Sequence, residues 1–333
     1  MVRRALRPAL LAACAALASL GHAAPPLRWQ AASEYPASTM PGIGLARFAA
    51  NLDEHTGGAL TVSVRHDDPL DARAALDAAR AGRIEIGDVH AGPLGAAEPI
   101  FGLVTLPFIA TSVADTRCLQ AVTRAEYSRR FEALGVHLLY SAPWPATGLW
   151  SATPVATLDD LRHLKVRTYD ATSAAFLASL GTPAAHLPMA RAMPLIADGT
   201  YTGVMSSGDG GAGQRLWQYL RHFAALAYSA PLSFAVLNKA AYDGLPAELR
   251  SQVDEAARET ETQLWTVMQD REDRNRQAML EHEVETSEVS DPALAAALQA
   301  ASARAIDAWL VRAGPDGAAL LARYRSAPCA RAR

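Results

Sequence analysis

Apolar and polar positions along the chain follow two rhythms. A period of two marks short strands at 27–31, 59–64 (ALTVSV) and 84–89 (IEIGDV), whereas helical spacing marks 40–55, 72–81 and about 113–134. Gly57-Gly58 and Gly82 stop the first two helices. Residues 103–108 and 136–140 read as further strands. Strands separated by helices of about 10–15 residues predict a mostly parallel sheet with helices on both faces.

After Pro143-Trp144-Pro145 the rhythm restarts. Thr157 and Asp160 frame a helix cap, 164–169 (LKVRTY) is a strand, and 171–180 is a helix closed by Gly181. Residues 186–188 form a short strand, 190–197 a helix stopped by Gly199, and 201–205 another strand. This makes a second lobe. The extended apolar stretch 227–238 suits a chain crossing back between lobes. From Pro246 to about Glu283 there is neither Gly nor Pro, and an apolar face runs from Leu249 to Met268. Some 37 residues would make a rod of roughly 55 Å, long enough to brace both lobes. A helical pair at 294–310 and 317–324 closes the chain. The expected architecture is α/β, with two lobes and a long helix bracing both. Lobe I takes 24–143 plus 230–272, lobe II takes 144–229 plus 273–325, and 326–333 is a C-terminal tail.

The N-terminus fixes the expected address. Arg3, Arg4 and Arg7 precede the apolar run ALLAACAALASL, and Gly21 and Ala23 supply small residues for cleavage, so 1–23 reads as a secretory signal. The mature chain is expected in the periplasm. Leu11-Ala12-Ala13-Cys14 is also lipobox-like, which would make lipid anchoring at Cys14 a minor route. The formal charge of −3 includes the three leader arginines; without them 28 Lys and Arg face 34 acids. A mildly acidic surface without a basic patch argues against a nucleic-acid partner. Cys118 and Cys329 remain in an oxidising compartment, and their spacing alone leaves pairing open.

Residues 201–217, YTGVMSSGDGGAGQRLW, place Gly208, Gly210 and Gly213 at the spacing G-x-G-x-x-G, between a strand-like run and a helix-like run at 214–220. A dinucleotide site also needs an acid about 20 residues further on. Positions 228–234 read YSAPLSF, and the next acid is Asp243. The nucleotide reading fails, and no cofactor is expected. G-x-S-x-G, H-E-x-x-H and CxxC do not occur, so neither the hydrolase elbow nor the common zinc patterns are present, and no metal site is expected.

Arg167 is the sharpest single candidate. It lies near the carboxyl end of an apolar strand, where open α/β sheets present ligands, and a guanidinium there is a two-pronged clamp for a carboxylate. An inter-element salt bridge is the competing reading. Trp144, Trp150, Tyr169 and Phe234 gather near the crossovers as cleft-wall candidates. Ser206 and Ser207, at a strand's carboxyl end, fit a small ligand. Glu34 and Asp88 are acids that could face the cleft from the first lobe or sit solvated on the surface. His90, ending a strand, is carried as a cleft candidate with Glu34.

The stretches ASEYPASTMPGIGLARFA, GPLGAAEPIFGLVTLPF and TPVATLDDLRHLKVRTYDATSAAFLASLG, with LNKAAYDGLPAELRSQVDEAARE further on, carry a resemblance that covers the mature chain. The chain resembles the DctP-type substrate-binding proteins of tripartite ATP-independent periplasmic (TRAP) transporters, most specifically in LxxLKVRxY. The resemblance implies two α/β lobes around a cleft for a small organic acid, and capture without catalysis. It also implies delivery to a small and a large integral membrane subunit. It puts the carboxylate-binding arginine at Arg167 and a second polar contact near Ser207. Many members carry Asn at that second place, and one branch carries a Glu-Trp pair that shares a metal with the ligand; here Ser206-Ser207-Gly208 stands instead. A binding protein feeding a sensor kinase or an ABC transporter is the alternative, with a secreted α/β enzyme behind it.

Overall fold

The computed structural model describes residues 26–331, so the signal-peptide reading of 1–23 and the lipid site at Cys14 lie outside the described residues. The chain begins with β1 (Leu27–Ala32), α1 (Met40–Thr56), β2 (Leu60–Arg65), α2 (Ala72–Arg80), β3 (Ile86–His90), α3 (Ala91–Leu94), a 3-10 segment Pro99–Thr105, α4 (Val113–Ala133) and β4 (Val136–Pro143). It continues through β5 (Thr147–Ser151), α5 (Leu158–Arg162), β6 (Val166–Thr168), α6 (Ala171–Ala178), β7 (Ala184–His186), α7 (Met189–Ala197), β8 (Gly203–Ser207), α8 (Gly208–Gly213) and β9 (His222–Ala225). Last come β10 (Leu232–Asn238), α9 (Lys239–Asp243), α10 (Ala247–Met268), α11 (Arg271–Glu281), β11 (Glu285–Glu288), α12 (Pro292–Ser326) and α13 (Pro328–Arg331).

Local chemistry accounts for most boundaries. Asp71 caps α2 by accepting from the N–H groups of Arg73 and Ala74, Ser112 caps α4, and Asp170 caps α6. Thr157 and Asp160 form the expected capping box on α5. Gly57, in the left-handed region at φ 56°, ends α1.

Two sheets result, one per lobe. The first has order β2-β1-β3-β10-β4 and the second β11-β9-β5-β8-β6-β7. The βα units pair in parallel, as expected, but the strands at the crossovers do not. β10 runs antiparallel between β3 and β4, and β5 runs antiparallel between β8 and β9. β10 is buried along its whole length because both faces are covered. Phe234 and Val236 enter one core with Phe101 and Phe131, and Ala235 and Leu237 enter the other with Leu45 and Tyr140.

Three expected elements differ. Residues 103–108 are not a strand; the region is largely the 3-10 segment Pro99–Thr105, opened by a proline that cannot donate to a ladder. The helix lies on the glycines themselves, Gly208–Gly213, and only a 3-10 turn, Leu216–Gln218, follows. The rod from 246 to 283 is broken at Gln269 and Asp270 into α10 and α11. The apolar stripe ends at Met268, and α10 packs on α1 and β4 of lobe I while α11 packs on α8 of lobe II. The bracing helix is α12. Its first half buries Leu294, Leu298 and Ala301 with Phe176 and Leu177 of lobe II. Further along, Trp309, still before the bend, and Leu320 and Leu321 beyond it are buried with Phe101 of lobe I. The two halves meet at Gly314 (φ 63°), followed by Pro315. A disulfide joins Cys118 on α4 to Cys329 on α13, with a Cα separation of 5.8 Å. Among the described residues no helix is long and apolar enough to cross a membrane.

Candidate functional site

The site forms where the carboxyl end of β6 faces β3 and the segment after β1. Within β6 side chains alternate: Val166 enters the lobe II core, and Arg167 turns to the cleft. Arg167 is 6% exposed. Its Nε donates to the Leu187 carbonyl at 2.7 Å, which fixes the plane of the guanidinium. None of the ion pairs among the described residues involves it. Burial pulls its pKa below the ordinary arginine value, and Glu34 acts in the opposite direction. The inter-element salt bridge weighed for this residue is therefore not what the structure contains. A buried guanidinium without an acid in contact is a costly arrangement that an incoming anion relieves.

Two small chambers flank Arg167. One, of about 30 Å³, is lined by Tyr35, His90, Trp144, Tyr169, Ser206 and Ser207 among others. The other, of about 40 Å³, lies toward Glu34, Asp71 and His186. Larger grooves of about 540 and 1090 Å³ do not include Arg167, although the first shares Thr147 with the 30 Å³ chamber.

The aromatic walls are held by hydrogen bonds. Trp144 Nε1 donates to Ser233 Oγ at 3.0 Å, and its ring meets Tyr35 edge-on at 4.8 Å. The Tyr169 hydroxyl pairs with Ser229 Oγ at 3.0 Å. Each bond joins a ring beside the cleft to the chain segment that returns from lobe II, so the walls are fixed to the crossovers. His90 lies 5.1 Å from the Tyr169 ring. Its Nδ1 accepts from Gly92 N at 3.1 Å, which caps α3, and burial drives its pKa down to about 3. It therefore stands as an uncharged wall of the cleft at neutral pH.

The other candidates divide. Ser206 lines the first chamber. Ser207 lines it too, but its Oγ accepts from Gly210 N at 3.1 Å and so caps α8. Glu34 faces the second chamber, and burial raises its pKa to about 7 against the pull of Arg167. Asp88 lies beneath the cleft, buried, accepting from Ser33 Oγ at 2.6 Å. The solvated reading of Asp88 is corrected accordingly.

Two wall candidates are also corrected. Phe234 is fully buried against Phe101, Tyr127 and Phe131, because strand alternation gives the cleft side to Ser233. Trp150 is fully buried against Phe223, with Nε1 donating to the Ser207 carbonyl at 3.2 Å; it supports the site from behind. Sequence reasoning missed Tyr35, Thr147, Met189, Met205 and Gln214, which also line the first chamber. Tyr35 is the immediate neighbour of Glu34 in ASEYPASTMPGIGLARFA, so adjacency could have found it. The methionines carry no such signal. Among the described residues no group of three or more His, Cys, Asp or Glu is arranged to hold a metal ion.

Two α/β lobes shut on a buried, unpaired guanidinium define a bilobal binding protein. The chain belongs to the bacterial extracellular solute-binding proteins, family 7, whose family model matches residues 31–309. A protein of Chromohalobacter salexigens described as a solute-binding protein is 31% identical over 145 residues, a match covering 42% of each chain. The structure is similar to that of DctP7 of Bordetella pertussis, an extracytoplasmic solute receptor binding pyroglutamic acid. The TM-score is 0.86 at 27% identity, covering 90% of this chain and 99% of that one. A marine-metagenome TRAP solute-binding protein specific for pyroglutamate gives a TM-score of 0.86 at 25% identity, covering 91% and 99%. A TRAP solute-binding protein of Sulfitobacter with bound galacturonate, at 21% identity, TM-score 0.82 and coverage of 90% and 100%, shares the fold.

Proposed function

We propose that this chain is the periplasmic receptor of a TRAP transporter and captures a compact monocarboxylic acid of the pyroglutamate kind. One observation carries the reading: Arg167 is buried between two lobes without an acid in contact. The ligand's carboxylate would take the guanidinium, with its ring between Trp144, Tyr35 and Tyr169. Met189, Met205 and Pro231 make much of the remaining wall apolar, which favours a small ring over a polyhydroxylated sugar acid. The two relatives at 25% identity or above that bind pyroglutamate point the same way. Delivery to the small and large membrane subunits follows from the family role.

The energetics ask for more than the clamp. A charge-assisted pair contributes about 1.5–3 kcal/mol net, whereas micromolar binding requires about 8 kcal/mol. The remainder comes from aromatic burial and a pre-organised Arg167. The arrangement supports binding rather than turnover: His90 is held neutral as a helix cap, and no covalent step is needed.

Isothermal titration of the mature protein with L-pyroglutamate, succinate and D-glucuronate tests this reading. Pyroglutamate is expected to bind at micromolar or tighter affinity and the two others at least tenfold more weakly. Arg167→Ala is expected to weaken binding by 100-fold or more. Equal affinity for all three acids, or binding that survives in the variant, would overturn it.

A further inference from the structure

The glycine run with nucleotide-site spacing lies at the interface between the lobes. Asp209, at the start of α8, is fully buried, and its Oδ2 accepts from Met40 N at 2.9 Å. Met40 is the first residue of α1, which belongs to lobe I. Thr39, the N-cap of α1, makes no side-chain cap bond, because its hydroxyl donates to the Pro36 carbonyl at 2.8 Å instead. The helix is thus capped by an acid from the opposite lobe. Arg271, the first residue after the α10–α11 break, donates both to Asp209 and to the Ser38 carbonyl of lobe I. At the other end of α8, a Cβ built on Gly213 would fall 2.6 Å from Thr39 Cγ2, with Pro36 and Ser38 next nearest. All three are lobe I residues, so the absence of a side chain at 213 is what lets the lobes meet there.

We propose that α8 is an interlobe latch. Asp209 caps α1 across the interface, Arg271 holds the pair at the hinge, and Gly213 seats Thr39, so that the ligand-free protein already populates the closed form. These residues lie outside the ligand chambers and set the apparent affinity by setting the closed fraction, since a competent state populated at fraction f weakens binding by 1/f. The latch rests on the proposed opening and closing of the lobes around a ligand. It needs no particular ligand.

Spin labels at Asp77→Cys on α2 and Thr200→Cys before β8, neither of them buried, report the interlobe distance by pulsed electron resonance. The ligand-free protein is expected to show a short-distance component, which Asp209→Ala and Gly213→Ala each reduce about tenfold relative to the open one. Gly213→Ala is the control for folding, because its new methyl meets only the opposite lobe and its melting temperature should hold. A ligand-free protein with no short component, or one whose distances both variants leave unchanged, would overturn the latch. A repeat with saturating L-pyroglutamate separates the two readings. Restoration of the short distance in Asp209→Ala supports a latch that acts on closure and not on contact with the ligand. A wild type that does not respond to pyroglutamate while both variants still open counts against the ligand assignment alone and leaves the latch supported.

Discussion

Asp88 carries an acid into a place with little solvent, and the cost is readable as a pH dependence. Its pKa is raised by burial to about 7, against the bond from Ser33. The folded chain therefore holds this proton more tightly than the unfolded chain, where the group titrates near 4. Ionisation costs stability: nothing below about pH 4, more as the pH rises, and the full amount above about 7. Asp88→Asn retains an acceptor for Ser33 and cannot ionise. Its melting temperature relative to wild type is expected to climb between about pH 4 and 7 by several degrees and to level off above. Tenfold tighter proton binding is worth about 1.4 kcal/mol, and about 1 kcal/mol moves a Tm by roughly 2–4 °C in a domain of this size. Taking the difference between the two proteins removes the contribution of His90, which is present in both, whereas Glu34, raised by burial and in part by Asp88, shifts with the substitution. Parallel melting curves across that range would show that the carboxyl finds solvent. The position of Arg167 beside the cleft was legible in the sequence, because it stands near the carboxyl end of an apolar strand, where open α/β sheets present ligands. The demotion of Phe234 and Trp150 was not legible, since an aromatic beside a crossover can turn either way until the strand register is known.

At the scale of the element, α8 shows how glycines can be demanded by packing on several sides. A Cβ on Gly211 would lie 2.2 Å from the Trp150 ring, inside lobe II, whereas a Cβ on Gly213 would meet only lobe I. The same substitution two residues apart should therefore have opposite signatures. Gly211→Ala is expected to lower stability by about 1–3 kcal/mol through overpacking, read by urea denaturation. Gly213→Ala should leave the denaturation midpoint near wild type and change the interlobe distance instead. The sequence showed the glycines and their strand but could not say what approaches them. Close approach is a tertiary fact, and the fingerprint spacing was coincidental to it. The α10–α11 break had a similar cause. Helical spacing was correct up to Met268, and beyond it a polar run can continue as a helix in either direction, with only the lobe that receives it deciding the angle.

The whole molecule is tied together by α12 and by its far end. The disulfide between Cys118 and Cys329 closes a loop of 211 residues, so it removes conformations from the unfolded chain that span both lobes. Cys118→Ser with Cys329→Ser is expected to lower unfolding free energy by about 2–4 kcal/mol. Titration should show ligand affinity nearly unchanged, because neither cysteine approaches Arg167. A large loss of affinity would mean that α12 transmits strain from its anchored end into the cleft. The two-lobed plan was legible from the restart of the strand–helix rhythm after Pro145. The antiparallel strands at the crossovers were not, because alternation fixes which face is buried and not which way the chain runs.

The tightness of the cleft has a kinetic consequence. Arg167 is 6% exposed and the chambers beside it measure only about 30 and 40 Å³, so on the proposed opening and closing of the lobes a captured solute leaves when they part. Its residence time is the waiting time between openings. Dissociation should then follow a single first-order rate that extra competing ligand cannot hasten, and the receptor acts as a clock whose period is set at the lobe interface. On the proposed function, a membrane subunit that parts the lobes would reset that clock, whereas the concentration of free solute around it would not.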